Sequence, residues 1–205
     1  EGLPRLHDAP RKVAALLAYL NVRARFHADE PPRVYAPSEI VQPLRSALAV
    51  MPGLESVRRR LDLDAVLVAV EAGDEVPIPG GVARSFACDH GVPTLGWTLR
   101  RAEGERPVLA YAADGTTAPF IADPALLDAE VAVVECTFVE RNRRVAAAIG
   151  KHAHVADWVA LAPDLRCDAL VLAHLPAMPR EALAASLHPL VEAVPSGCNV
   201  VVWTE

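Results

Sequence analysis

The sequence predicts a layered α/β fold in which helices cover sheets, and three observations carry that prediction. Helix-spaced and strand-like segments alternate along the 205 residues. Several strand-like runs are apolar on both faces, as strands covered on both sides must be. At 52% hydrophobic residues the chain can bury a core of its own. Aromatic residues are only 5%, so that core is expected to rest on Ala, Val and Leu.

Taken in order, residues 10–21 set Val13, Leu16, Leu17 and Leu20 on one face at helical spacing. Arg33 to Ala36 reads as a short strand ended by Pro37. Ser38 is placed to cap a helix through Met51, with Ile40, Val41, Leu44 and Leu48 as its apolar face and Pro43 in its early turns. Ala65 to Val70 is a short, β-branched apolar run and reads as a buried strand, followed by a turn at Gly73-Asp74. Strands are expected at 82–88, 95–101, 107–112 and 131–136, with Gly104 breaking the second from the third as in a hairpin. A helix fits 153–161, a buried strand 169–173, a helix 180–191 and a last strand 199–203.

The net charge is −6, so the chain lacks the overall basic field of a typical nucleic-acid binder. Arginines cluster at 58–60 and at 141, 143 and 144, and the plain reading of both clusters is a solvated face. Cys88, Cys136, Cys167 and Cys198 form no CxxC pair, which argues against a zinc ribbon or a thioredoxin-type site. Three of the four sit in apolar runs and read as small buried hydrophobes. No apolar run is long enough to span a bilayer, and a cytoplasmic location is the default expectation.

Chemistry-bearing residues gather where apolar strands end. Asp89-His90 follows one strand, Asp114 another and His174 a third, and Glu135 lies at the end of the run from Val131. Loops beyond strand ends are where a rigid scaffold presents reactive groups. Imidazole nitrogens and carboxylate oxygens together are ligands for zinc-type ions. A lone His after a strand is more often a hydrogen-bonded structural residue, so spacing alone leaves both readings open for a shared His90–Asp114–His174 site.

Five segments in order resemble the ribonuclease Z-like branch of the metallo-β-lactamase superfamily. Asp89 to Trp97 is similar to its H-x-x-P-x-x-G-aromatic segment, and Tyr111 to Thr116 to its Y-x-G-D-T loop. Val134 to Phe138 is similar to its E-x-T-F strand end. Lys151-His152-Ala153-His154 resembles its G-H-S-T loop, and Leu172 to Leu175 its L-T-H-F segment. Two further pieces are similar to the family pattern: the opening Glu1-Gly2-Leu3-Pro4 to the G-L-P that follows its first metal motif, and Val34 to Pro37 to its Y-G-P strand end. The first motif itself, H-x-H-x-D-H, occurs nowhere in these residues. Three departures stand out. Ala113 and Gly115 replace the Gly and Thr around the Asp, Ala153 and His154 replace the Ser and Thr, and only 24 residues separate His90 from Asp114. That interval leaves no room for the long tRNA-gripping arm of ribonuclease Z proper.

The resemblance implies a four-layer αβ/βα metallo-β-lactamase-type sandwich, N-terminally incomplete, as one domain over 1–205. It implies a metal-dependent hydrolase: His90, Asp114 and His174 as metal ligands, Asp114 bridging, and two Zn2+ (or Mn2+) per intact site. Phosphodiester hydrolysis would proceed through a dinuclear-metal-bound hydroxide. His152 would protonate the leaving oxygen and Glu135 would orient it, so these two are the catalytic candidates. Expected partners are a small phosphodiester or another ester, with RNA as a further candidate, no membrane, and a homodimer compatible with the family. Without the first motif the chain alone is expected to bind metal weakly and to be inactive by itself. The competing reading is a non-catalytic binding or scaffold module, or inactive fragment, of the same fold. An oxidoreductase or sulfur-handling member of the superfamily fits the motifs less well. Trp97 is expected in the core, and His7, His27, His154 and His188 as structural or exposed.

Overall fold

The computed structural model describes residues 9–27, 29–112 and 114–203, with side chains from residue 16 onward. The opening tetrapeptide, His7 and Ala113 lie outside the described residues. The chain is a mixed α/β structure in two compact units, Glu1–Val70 and Glu71–Glu205.

The first unit runs α1 (Ala9–Phe26), β1 (Val34–Pro37), α2 (Ser38–Val50), α3 (Glu55–Arg60), α4 (Leu63–Val66) and β2 (Leu67–Val70). β1 and β2 pair in parallel, Val34 opposite Leu67. Its buried core includes Leu20, Val41, Leu48, Val57 and Leu67, with Leu16, Leu17 and Leu44 packed against it. The expected Ser38 cap does not form. Pro37 holds the cap position, and the Ser38 hydroxyl bonds Glu39 instead. β2 is shorter than expected because residues 63–66 turn helically, with Asp62 capping that turn by accepting from Asp64 N at 3.0 Å.

The 58–60 arginines are more than a solvated face. Arg58 Nη1 donates to the carbonyls of Leu48 (3.2 Å) and Met51 (2.8 Å) at the end of α2. Arg60 Nη1 donates to those of Ala24 (3.3 Å) and Arg25 (3.2 Å) at the end of α1. The last carbonyls of a helix have no partner within it and carry partial negative charge, so a guanidinium satisfies both needs.

The second unit is built on one seven-stranded sheet whose spatial order equals its chain order: β3 (Glu75–Ile78), β4 (Gly81–Ala87), β5 (Leu95–Arg101), β6 (Leu109–Ala112), β7 (Val131–Glu135), β8 (Ala169–Ala173) and β9 (Asn199–Val202). β3 to β6 are antiparallel, and β6 to β9 are parallel. The connections carry α5 (Ala118–Ala122), α6 (Arg144–Gly150), α7 (Val155–Leu161) and α8 (Arg180–Ala193). Parallel strands place all their C-terminal ends along one edge, which positions the site described below.

The core here contains Leu126, Val134, Leu170, Leu172 and Leu190, but its largest side chains are aromatic. Trp158 and Phe120 are fully buried and meet edge to face, centroids 5.1 Å apart. Trp97, expected in the core, is only half-buried on β5. Beside it the chain makes a close approach: at Gly96 any Cβ would fall 2.2 Å from the Phe86 ring.

Candidate metal centre

β6, β7 and β8 each deliver one acidic or imidazole side chain at the same edge of the sheet. Asp114 follows β6, Glu135 ends β7 and His174 follows β8. The loop after α6 adds His152. Among the described residues, these four form a group able to hold a metal ion, each offering one donor atom within 4.8 Å of every other.

Glu135 is the buried centre of the arrangement, at 1% exposure. Its Oε2 accepts from Gly115 N (3.0 Å) and faces His152 Nδ1 at 2.8 Å. Its Oε1 accepts from Ala153 N (2.6 Å) and from the Thr137 hydroxyl (3.4 Å). Burial pushes its carboxyl up, but hydrogen bonds from His152, His174 and Gly115 outweigh it and hold the carboxyl at about 2. A carboxylate with this many donors is ionised and fixed. Beneath it, Trp158 Nε1 donates to the Glu135 carbonyl at 2.9 Å, tying the site to the aromatic core.

His174 Nδ1 lies 3.1 Å from Thr137 Oγ1 and 3.3 Å from Asp114 Oδ1. Lys151 and His174 are the non-glycine residues with positive φ among the described residues, at 54° and 56°. Side chains in that region are strained by about 1 kcal/mol or more, and such strain concentrates at functional sites. Lys151 stands where the resembling loop has glycine. It ends α6 in a left-handed turn and holds Asp89 Oδ1 by Nζ at 2.8 Å. Gly115 has φ 135°, and a Cβ there would sit 3.0 Å from the Asp89 carbonyl. The positive φ at 115 thus falls on a glycine, which adopts it without strain.

His90 is not in the four-residue group. Its ring stands 5.0 Å from that of His152, and its Nδ1–H donates to the Lys151 carbonyl at 3.3 Å. That bond makes Nε2 the lone-pair nitrogen, the tautomer a metal-ligating imidazole needs. The structure thus brings Asp114, His174, Glu135 and His152 together and leaves His90 beside them. The donor set suits a zinc-type ion in kind, two carboxylates and two imidazoles. Glu135 is already engaged on both oxygens, which makes it the fixed partner of His152.

The other histidines separate cleanly. His154 is buried and caps α7: its Nδ1 accepts from Ala156 N (3.0 Å), Nε2 donates to the Glu140 carbonyl (3.0 Å), and Asp157 completes a reciprocal capping box. That role explains why His can replace the Thr of the resembling loop. His188 makes an exposed i,i+4 pair with Glu192.

No family model matches the sequence, and no curated protein matches it. Solved structures do match. The metallo-beta-lactamase fold protein YhfI from Bacillus subtilis superposes with a TM-score of 0.68 at 13% identity, covering 95% of this chain and 70% of that one. Unliganded yeast PDE1 gives 0.68 at 11% identity, over 94% and 63%. The short form of human tRNase Z gives 0.60 at 13%, over 93% and 71%. The chain spans under three quarters of the length of each. At such identities the likeness speaks for architecture, and with the strand order and the edge-on site it gives one conclusion: this chain has the metallo-β-lactamase fold.

Proposed function

We propose that this protein is a metal-dependent hydrolase acting on small phosphodiesters, with Asp114 and His174 as metal ligands and His90 as a third. The observation that supports it best is the convergence of Asp114, Glu135, His152 and His174 at the C-terminal ends of adjacent strands. A bound Zn2+ or Mn2+ supplies an activated water at neutral pH and offsets charge on the phosphate.

The chain's own residues supply the rest. Asp114 offers a carboxylate oxygen and His174 an imidazole nitrogen. Thr137 braces the His174 ring from one side, so its orientation is set before substrate arrives. Glu135 accepts a hydrogen bond from the Nδ1–H of His152, leaving Nε2 as the nitrogen that moves a proton. Oriented this way by the ionised Glu135, His152 serves as the acid that protonates the departing oxygen.

The substrate class follows from what lies between His90 and Asp114. That stretch is filled by β5, β6 and the turn joining them. A tRNA is gripped through phosphates far from the scissile bond, and such remote contacts position the reacting group. With the interval used up by a hairpin and a net charge of −6, a small diester fits the site better than a tRNA precursor.

A second reading keeps the fold without the chemistry: a binding module, favoured by the absence of H-x-H-x-D-H from these 205 residues. One experiment separates the two. The full-length product of the coding sequence is loaded with Zn2+ or Mn2+ and given an aryl phosphodiester, a cyclic nucleotide and a tRNA precursor side by side. Hydrolysis of the small diesters, lost on His174→Ala, is the expected result. Rapid position-specific cleavage of the precursor overturns the substrate assignment. Metal uptake with no hydrolysis at all favours the binding module.

A further inference from the structure

At the opposite end of β8 from His174, two thiols touch. Cys167 Sγ and Cys198 Sγ are 3.5 Å apart, in the segments that lead into β8 and β9. All four cysteines of the chain are free thiols. We propose that Cys167 and Cys198 are a dithiol–disulfide site, oxidised by a low-molecular-weight disulfide of the glutathione type and restored by thiols.

The two cysteines lead into neighbouring strands, and their sulfurs already face each other at 3.5 Å. β8 and β9 are hydrogen-bonded neighbours in register Ala169 opposite Asn199, and Asn199 N donates to the Asp168 carbonyl at 2.9 Å. Adjacent strands lie about 4.8 Å apart, and disulfides join Cα atoms roughly 4.4–6.8 Å apart. Cys167 and Cys198 stand just before the paired residues of β8 and β9, one step out of line with each other, so closing the sulfurs to a bond draws on the lead-in segments and not on the ladder itself. Both neighbours of Cys167 are held in place. Arg106 Nη2 donates to the Arg166 carbonyl at 2.8 Å and to Asp168 Oδ1 at 3.1 Å.

Unequal exposure sets the order of events. Cys198 is partly exposed, and Cys167 is 3% exposed. The Cys198 thiolate attacks one sulfur of the small disulfide, forming a mixed disulfide and releasing one thiolate, which takes up a proton. Cys167 then loses its proton and attacks Cys198 Sγ, forming the internal bond and releasing the second thiol. In total the protein gives up two electrons and two protons, and one small disulfide becomes two thiols. Burial, reinforced by the Cys198 neighbour, pushes the Cys167 thiol up to about 12, so the second step is the slow one and speeds up as pH rises. The bridge would enclose β8, His174 and α8 in one covalent loop, constraining the unfolded chain.

The test is independent of any catalytic assignment. The purified protein is incubated with oxidised glutathione, the remaining thiols are alkylated under denaturing conditions, and the unreduced digest is read by mass spectrometry. A Cys167–Cys198 cross-linked peptide is expected, with Cys88 and Cys136 alkylated and the bridge removed by dithiothreitol. Cys167→Ser should stop at a mixed disulfide on Cys198, and Cys198→Ser should give no cross-link. Oxidation should raise the thermal midpoint of the wild type by about 5 °C or more, and of neither variant. A wild-type mixed disulfide on Cys198 that never resolves, or consumption of Cys88 or Cys136 before the pair, overturns the proposal.

Discussion

At their C-terminal ends the parallel strands β6, β7 and β8 hand over to Asp114, Glu135 and His174; before their N-terminal ends stand Arg106, Asp168 and the Cys167–Cys198 pair. The first end stores strain and charge. His174 has positive φ, and a carboxylate is buried at 1% exposure among histidines. The other end stores connections. One guanidinium reaches the carbonyls of Asp128 (2.7 Å), Ala129 (3.4 Å) and Arg166 (2.8 Å) and the Asp168 carboxylate. The contrast teaches that a rigid sheet can afford reactive geometry at one edge because the opposite edge is tied down by Arg106 and its carbonyl and carboxylate partners.

Substitutions at the two ends should therefore fail differently. His174→Ala at the site end should lower diester hydrolysis of the metal-loaded full-length protein by about 100-fold or more, with the far-ultraviolet dichroism unchanged. Steady-state rates with matched spectra check it, and an unfolded variant or an unaltered rate breaks the comparison. Glu135→Gln keeps the shape but turns one oxygen into a donor facing donors. It should cost about 2 kcal/mol by urea denaturation and slow turnover about tenfold, because His152 loses its anionic partner.

At the other end, Arg106→Ala should cost about 1 kcal/mol of stability, since its carbonyl bonds are partly exposed, and leave turnover of the folded protein unchanged. A fall in kcat would show that the two ends are coupled. The smallest effect is expected for Glu130→Gln, which weakens the ion pair with Arg101. Both groups are well hydrated, so the urea midpoint should not move measurably.

Sequence patterns reveal some of this and hide the rest for physical reasons. Most longer elements were legible because their apolar periodicity is strong: β5 and β8 fall at the expected residues, and α8 runs two residues past the expected 191. β3 was hidden because Pro77 weakens any strand pattern, and Pro is tolerated there on an edge strand. The helices α3, α5 and α6 are too short for periodicity to register. Asp114, Glu135 and His174 could be singled out as polar residues at apolar strand ends. Which of them share a centre could not, since His90 and His152 differ only in where their rings reach. The capping role of Arg58 and Arg60 is not legible because their carbonyl partners lie 7 to 36 residues away, so no local pattern records it. His154 was legible as a structural residue only through the absence of a family role; Asp157, three residues on, was the overlooked sign of a capping box.

The central claim is that Asp114 and His174 hold a metal ion. Titrating the purified protein with Co2+ and following visible absorption tests it most directly, since the bands report the ligands and need no turnover. The claim predicts one ion per chain, weakly held and removable by dialysis, with ligand-field bands and no thiolate charge-transfer band. Those bands should vanish in Asp114→Ala and in His174→Ala. Bands that survive both substitutions, or a thiolate band that implicates Cys88, would contradict it.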